Sequence, residues 1–145
     1  MLGEALYTCT LEFTNVTDYG VSLEDMLSGQ APIPAQGAQI DVAFAGQSEG
    51  RLAGTLSGVD YLKIRADGRF DLDIHGTIET KDGARIALRI VGTATPRADA
   101  PIVDLRESIS FQTASADYGW VNTVHGWAKG TVDLSKGRIE VQAFA

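Results

Sequence analysis

Cysteine is almost missing from this chain: Cys9 is the single one in 145 residues. One thiol cannot close an internal disulfide and has no second thiolate for a metal site, so Cys9 reads as a small buried hydrophobe. The histidines, His75 and His125, fall on different expected strands with no ligand spacing between them, so no metal is expected. Only four prolines occur, too few for an extended Pro-rich linker. No apolar run reaches the roughly 18 residues of a membrane helix. The first residues, MLGEALYTCTLEF, lack a basic region followed by an apolar one. Secretion is therefore not expected, and a cytoplasmic location is the default. Asn15-Val16-Thr17 matches a glycosylation sequon, read as chance without a leader. Basic charge is short too: 12 Lys and Arg stand against 19 Asp and Glu, a net charge of −7. Such a chain repels phosphate backbones and anionic lipid, so neither nucleic acid nor a membrane is an expected partner. There is no Gly-rich phosphate loop ahead of a helix and no nucleophile elbow. No cofactor is expected.

Short alternating runs are plentiful, each closed by Gly, Asp or Asn among the sixteen glycines. With no domain boundary or repeat, this predicts one all-β domain over residues 1–145. The architecture expected is an antiparallel β-barrel of about eight to nine strands. The expected strands are 6–13, 39–45, 51–57, 60–65, 69–80, 84–94, 106–113, 118–134 and 138–145. The strand over 118–134 is long and is expected to bend at Gly126 or Gly130. Residues 14–38 break the pattern. Within them Ser22-Leu23-Glu24-Asp25-Met26-Leu27 predicts one short helix, capped by Ser22 and ended by Gly29. So long a connection is either a lid over a binding site or a plug in one barrel end.

Turn chemistry sets which face is inside. Ala66-Asp67-Gly68 and Lys81-Asp82-Gly83 fit three-residue hairpin loops with Gly in the left-handed position. The second then pairs Ile78 with Ile86, Gly76 with Leu88 and Ile74 with Ile90; the first pairs Ile64 with Phe70 and Leu62 with Leu72. One face is apolar. The other carries Tyr61, Lys63, Asp71, Asp73, His75, Glu79, Arg85 and Arg89, and reads as a solvated, salt-bridged surface. Asp60 has the parity of Leu62 and lies opposite Ile74, so its carboxylate points into the apolar face. There it must be hydrogen-bonded, protonated or at the rim. It reads either as a turn residue after Gly58 or as a functional acid.

A two-residue turn at Lys136-Gly137 pairs Val132 with Ile139, Gly130 with Val141 and Ala128 with Ala143, all facing inward. The same parity, carried back, selects Tyr118, Trp120, Asn122 and Val124 beside a hollow left by small residues, and places His125 and Trp127 outside. An apolar hollow with a few polar groups suits a small molecule. Tyr118 and Trp120 read equally as core aromatics, and Asn122 as a tie to a neighbouring loop.

Gly54-Thr55-Leu56-Ser57-Gly58-Val59-Asp60-Tyr61, Arg65-Ala66-Asp67-Gly68, Leu72-Asp73, Thr80-Lys81-Asp82-Gly83-Ala84-Arg85-Ile86, Phe111-Gln112-Thr113 and Tyr118-Gly119-Trp120-Val121-Asn122 follow one another in an order that resembles a bacterial and fungal family known as domain of unknown function 3237. The resemblance runs over roughly residues 6 to 144. It implies a lipocalin-like or allene-oxide-cyclase-like barrel, some of whose relatives are cofactor-free enzymes on metabolites, cyclisations included. The family's shared Asp and Tyr-x-Trp-x-Asn fall on Asp60, Tyr118, Trp120 and Asn122. The chain departs from the family at His75 and Gly76, where an Arg and an aromatic are common; losing an aromatic changes the cavity volume.

Three functions follow. The first is a cofactor-independent cyclase, isomerase or lyase acting by general acid–base catalysis on a small apolar or aromatic metabolite. Asp60, Tyr118 and Asn122 would be catalytic, and Trp120 and Tyr7 would bind the ligand. The second is a carrier barrel without chemistry. The third is a homo-oligomeric assembly protein using outer residues such as Trp127 and Phe144.

Overall fold

The structure is a computed structural model that describes residues 3–145. Eight strands are found among them: β1 (Ala5–Asp18), β2 (Ala38–Gly50), β3 (Gly54–Ile64), β4 (Phe70–Thr80), β5 (Arg85–Pro96), β6 (Ile102–Gln112), β7 (His125–Asp133) and β8 (Arg138–Phe144). Each pairs with its sequence neighbours, and β1 also pairs antiparallel with β8, which closes the barrel. Closure leaves no strand at the edge of an open sheet. One short helix, α1 (Leu23–Ser28), lies between β1 and β2, and a 3-10 helix, η1 (Ala116–Thr123), between β6 and β7. No described helix is long and apolar enough to cross a membrane.

Local chemistry explains most of these elements. Gly68 and Gly83 both adopt positive φ in the two expected three-residue turns. Those turns set Ile64 opposite Phe70, Ile78 opposite Ile86, Gly76 opposite Leu88 and Ile74 opposite Ile90. The Ser22 hydroxyl accepts the Asp25 N–H at the start of α1, and Gly29 ends it in the left-handed conformation. The outer face pairs its charges: Arg89 with Asp73 at 3.1 Å, Arg69 with Asp71 at 2.7 Å and Arg85 with Glu79 at 3.6 Å. Trp127 and Phe144 stack on the outside, with ring centroids 4.8 Å apart.

Four expectations are corrected. The strands expected at 51–57 and 60–65 are one strand, β3. Gly58 is not a turn: it is where β4 passes so close that an added Cβ would lie 2.3 Å from the His75 carbonyl oxygen. The pairs Val132–Ile139, Gly130–Val141 and Ala128–Ala143 all form. Four residues, 134–137, rather than two, join the paired Asp133 and Arg138. The strand expected over 118–134 starts only at His125, and the residues before it are η1. Ala114, Ser115, Ala116 and Asp117 are weak strand formers, and Ser115 stands at the helix N-cap.

The up-and-down order puts two kinds of closure at the two barrel ends. The break expected over 14–38 is shorter, because residues 15–18 continue β1 in pairing with β2. The 19–37 connection, the 65–69 turn, the 97–101 loop and the 134–137 turn share one end. The 51–53 turn, the 81–84 turn and η1 share the other. At the η1 end Val121 and Leu52 are fully buried and close the core.

Candidate functional site

Strand alternation aims one side chain in two at the barrel axis. On β1 it aims Tyr7, Cys9 and Leu11 inward; on β3, Leu56, Asp60 and Leu62; on β6, Val103, Leu105, Glu107 and Ile109. These side chains and their neighbours surround a cavity of about 90 Å³ whose lining is almost wholly apolar. Leu23 and Leu27 of α1, with Phe13 and Leu134, line its α1 end. The same four residues also border a surface groove between α1 and the 96–101 loop. These four side chains separate the cavity from the groove. Helix α1 of the 19–37 connection thus lays Leu23 and Leu27 against that end of the cavity.

Among the described residues, four lining groups can exchange a proton: Asp60, Glu107, Tyr7 and Cys9. No described Lys, Arg or His lines the cavity. The Asp60 carboxyl is pushed from 3.8 up to about 7 by burial; the Asp73 N–H, donating to it at 3.0 Å, works against the shift, and the charges of Asp73 and Asp41 add to it. Glu107 is only 7% exposed. Burial, then the Asp60 charge, push its carboxyl from 4.5 up to about 7. Its side chain makes no hydrogen bond to protein among the described residues, and no fully enclosed polar atom is left unpartnered there. The carboxyl oxygens therefore face open cavity space. β3 and β6 stand three strands apart in a ring of eight, so the two acids project from facing walls. Tyr7 is 3% exposed, and burial raises its phenol well above the usual value. It stays protonated and can donate to a ligand oxygen. Burial also pushes the Cys9 thiol up to about 12, which makes it a poor nucleophile.

Of the residues the sequence singled out, the structure brings Asp60 and Tyr7 into this cavity. It places Tyr118, Trp120 and Asn122 elsewhere, on η1 at the far barrel end. They do not line the cavity, because the strand whose parity aimed them inward is not formed. The Tyr118 hydroxyl donates to Asp82 Oδ1 at 3.1 Å. Trp120 lies under the Arg51 guanidinium, 4.0 Å from the ring centroid. The Asn122 amide clamps Thr113, accepting its N–H and donating to its carbonyl oxygen, each at 2.8 Å. Glu107 is the residue that the sequence reading missed. Its signal was present in the alternation Val103, Leu105, Glu107, Ile109, Phe111, where one acid occupies an inward position.

A closed eight-stranded barrel with acids inside an apolar chamber defines the class of protein. Residues 21–145 match the family described as Protein of unknown function (DUF3237), and the chain belongs to that family. One curated relative is the hydroalkoxylation enzyme phnH of Penicillium herquei, 37% identical over 75 residues. That stretch is 51% of this chain and 44% of the relative, so the chain spans less than half of the relative's length. A solved protein of unknown function from Clostridium acetobutylicum shares the fold with a TM-score of 0.77 at 18% identity, covering 97% of this chain and 95% of that one. An enzyme from Penicillium herquei shares it with a TM-score of 0.64 at 24% identity, covering 98% and 92%.

Proposed function

We propose that this barrel is an enzyme that moves protons on a small, largely apolar metabolite in its interior. The reaction class is addition–elimination or cyclisation by general acid–base catalysis without a cofactor. The observation that carries this reading is Asp60: a carboxyl held in an apolar cavity, with its pKa raised to about 7 by burial. A group that titrates near neutrality can both give and take a proton during a turnover. The curated relative's printed activity, hydroalkoxylation, adds an alcohol O–H across a carbon–carbon double bond and supports the same class. Tyr7 would donate to a substrate oxygen. The α1 helix would exclude water once the ligand is in place.

Native mass spectrometry of the purified protein, followed by incubation with a set of alkenyl alcohols and alkenyl phenols, tests this. The expected result is conversion to an ether of unchanged mass. Asp60→Asn should lower that rate by about 100-fold or more without lowering the thermal midpoint. A ligand retained unchanged through long incubation would indicate a carrier instead. An Asp60→Asn variant with wild-type rates would remove Asp60 from the chemistry.

A further inference from the structure

We propose that Glu107 is the second catalytic carboxyl of this cavity: it delivers a proton to one carbon of a substrate double bond while Asp60, on the facing wall, takes the proton from the hydroxyl that adds to the other carbon. This rests on the acid–base reading above and assigns its two roles.

The geometry decides which acid does what. Asp60 accepts the Asp73 backbone N–H, a bond that favours the ionised carboxylate. Glu107 has no donor from the protein among the described residues and sits deeper, so its neutral, protonated form is the one the site favours. With no cation in the lining, the two acids cannot both be charged in so apolar a space. One proton held between them is the arrangement that burial allows.

The step balances. A C–O bond and a C–H bond form; the substrate O–H bond and the π bond break. The proton on the new C–H comes from Glu107, and the hydroxyl proton goes to Asp60. The pair carries one proton and one negative charge before and after, and passing the proton from Asp60 back to Glu107 resets the site. No oxidant or reductant is needed. The lining favours an uncharged substrate; the hydroxyl and the double bond follow from the relative's printed activity. A carboxylate or phosphate on the substrate would face two acids with no counter-charge.

The test uses the full chain with carbon-13 in the Asp and Glu carboxyls, titrated by NMR, together with turnover of 2-allylphenol and longer alkenyl phenols in D2O. Glu107 should titrate near neutrality, and Asp60→Asn should move its midpoint down by removing the neighbouring charge. Glu107→Gln should lower kcat by about 100-fold or more with little change in KM, and the wild-type product should carry one deuterium on carbon. A Glu107 that titrates like an ordinary exposed glutamate overturns the proposal whatever the rates do. Glu107→Gln at wild-type rate beside a dead Asp60→Asn overturns it too, and leaves the Asp60 reading standing. A wild-type chain that converts none of the probes defeats the acid–base reading itself, and this proposal with it.

Discussion

Asp60 carries its proton to a higher pH in the folded chain than in the unfolded one. Its pKa is about 7 when folded, against an ordinary value of 3.8. Between those values the native state binds a proton that the unfolded state has released. Stability therefore falls as pH rises through that window, and below it the group adds no slope. A shift of this size corresponds to about 4 kcal/mol across the window. Asp60→Asn removes the slope. In urea unfolding, the variant should gain on the wild type as pH is raised from 5 to 8. A difference that stays flat with pH would mean the carboxyl is already solvated. Asp60 was legible in the sequence because two hairpin turns pinned its parity. Glu107 obeys the same alternation, yet it follows the 97–101 loop, where no turn signature fixes a register.

At the scale of elements, the hairpins and α1 were readable because each carries its own local chemistry. Gly68 and Gly83 supply positive φ, Ser22 caps and Gly29 stops. The η1 segment was not readable by parity, because alternation continued backwards from β7 has no internal marker of where the strand begins. The marker lies in long-range partners. Asn122 holds Thr113, Tyr118 reaches Asp82 and Trp120 reaches Arg51. These contacts tie η1 to the ends of β6, β4 and β2. The sequence reading had kept a loop-tying role open for Asn122, and this is the contact it makes. Asn122→Ala leaves the Thr113 N–H and carbonyl without that partner. It should destabilise the barrel by about 1–3 kcal/mol in chemical denaturation, while turnover per folded molecule stays near the wild-type rate. A selective loss of turnover at unchanged stability would instead assign Asn122 to the chemistry.

The whole molecule is a sealed ring with unequal ends. Eight antiparallel strands give closure, and one end is packed shut by η1 around Val121 and Leu52. The other end carries Leu23 and Leu27 of α1 between the cavity and a surface groove. Ring closure could be anticipated from the count and spacing of short strands. Which end of the cavity α1 covers could not, since it depends on how the 19–37 connection and the 97–101 loop pack. The acid–base chemistry requires an uncharged ligand that rests between Asp60 and Glu107, beside α1. Methyl-labelled protein titrated with 2-allylphenol measures this directly. Saturable shifts are expected at Leu23, Leu27, Leu62, Leu72, Ile90 and Leu105, and none from the carboxylated analogue. Shifts confined to Val121 and Leu52 at the η1 end, or an interior that stays silent to saturation, would contradict it.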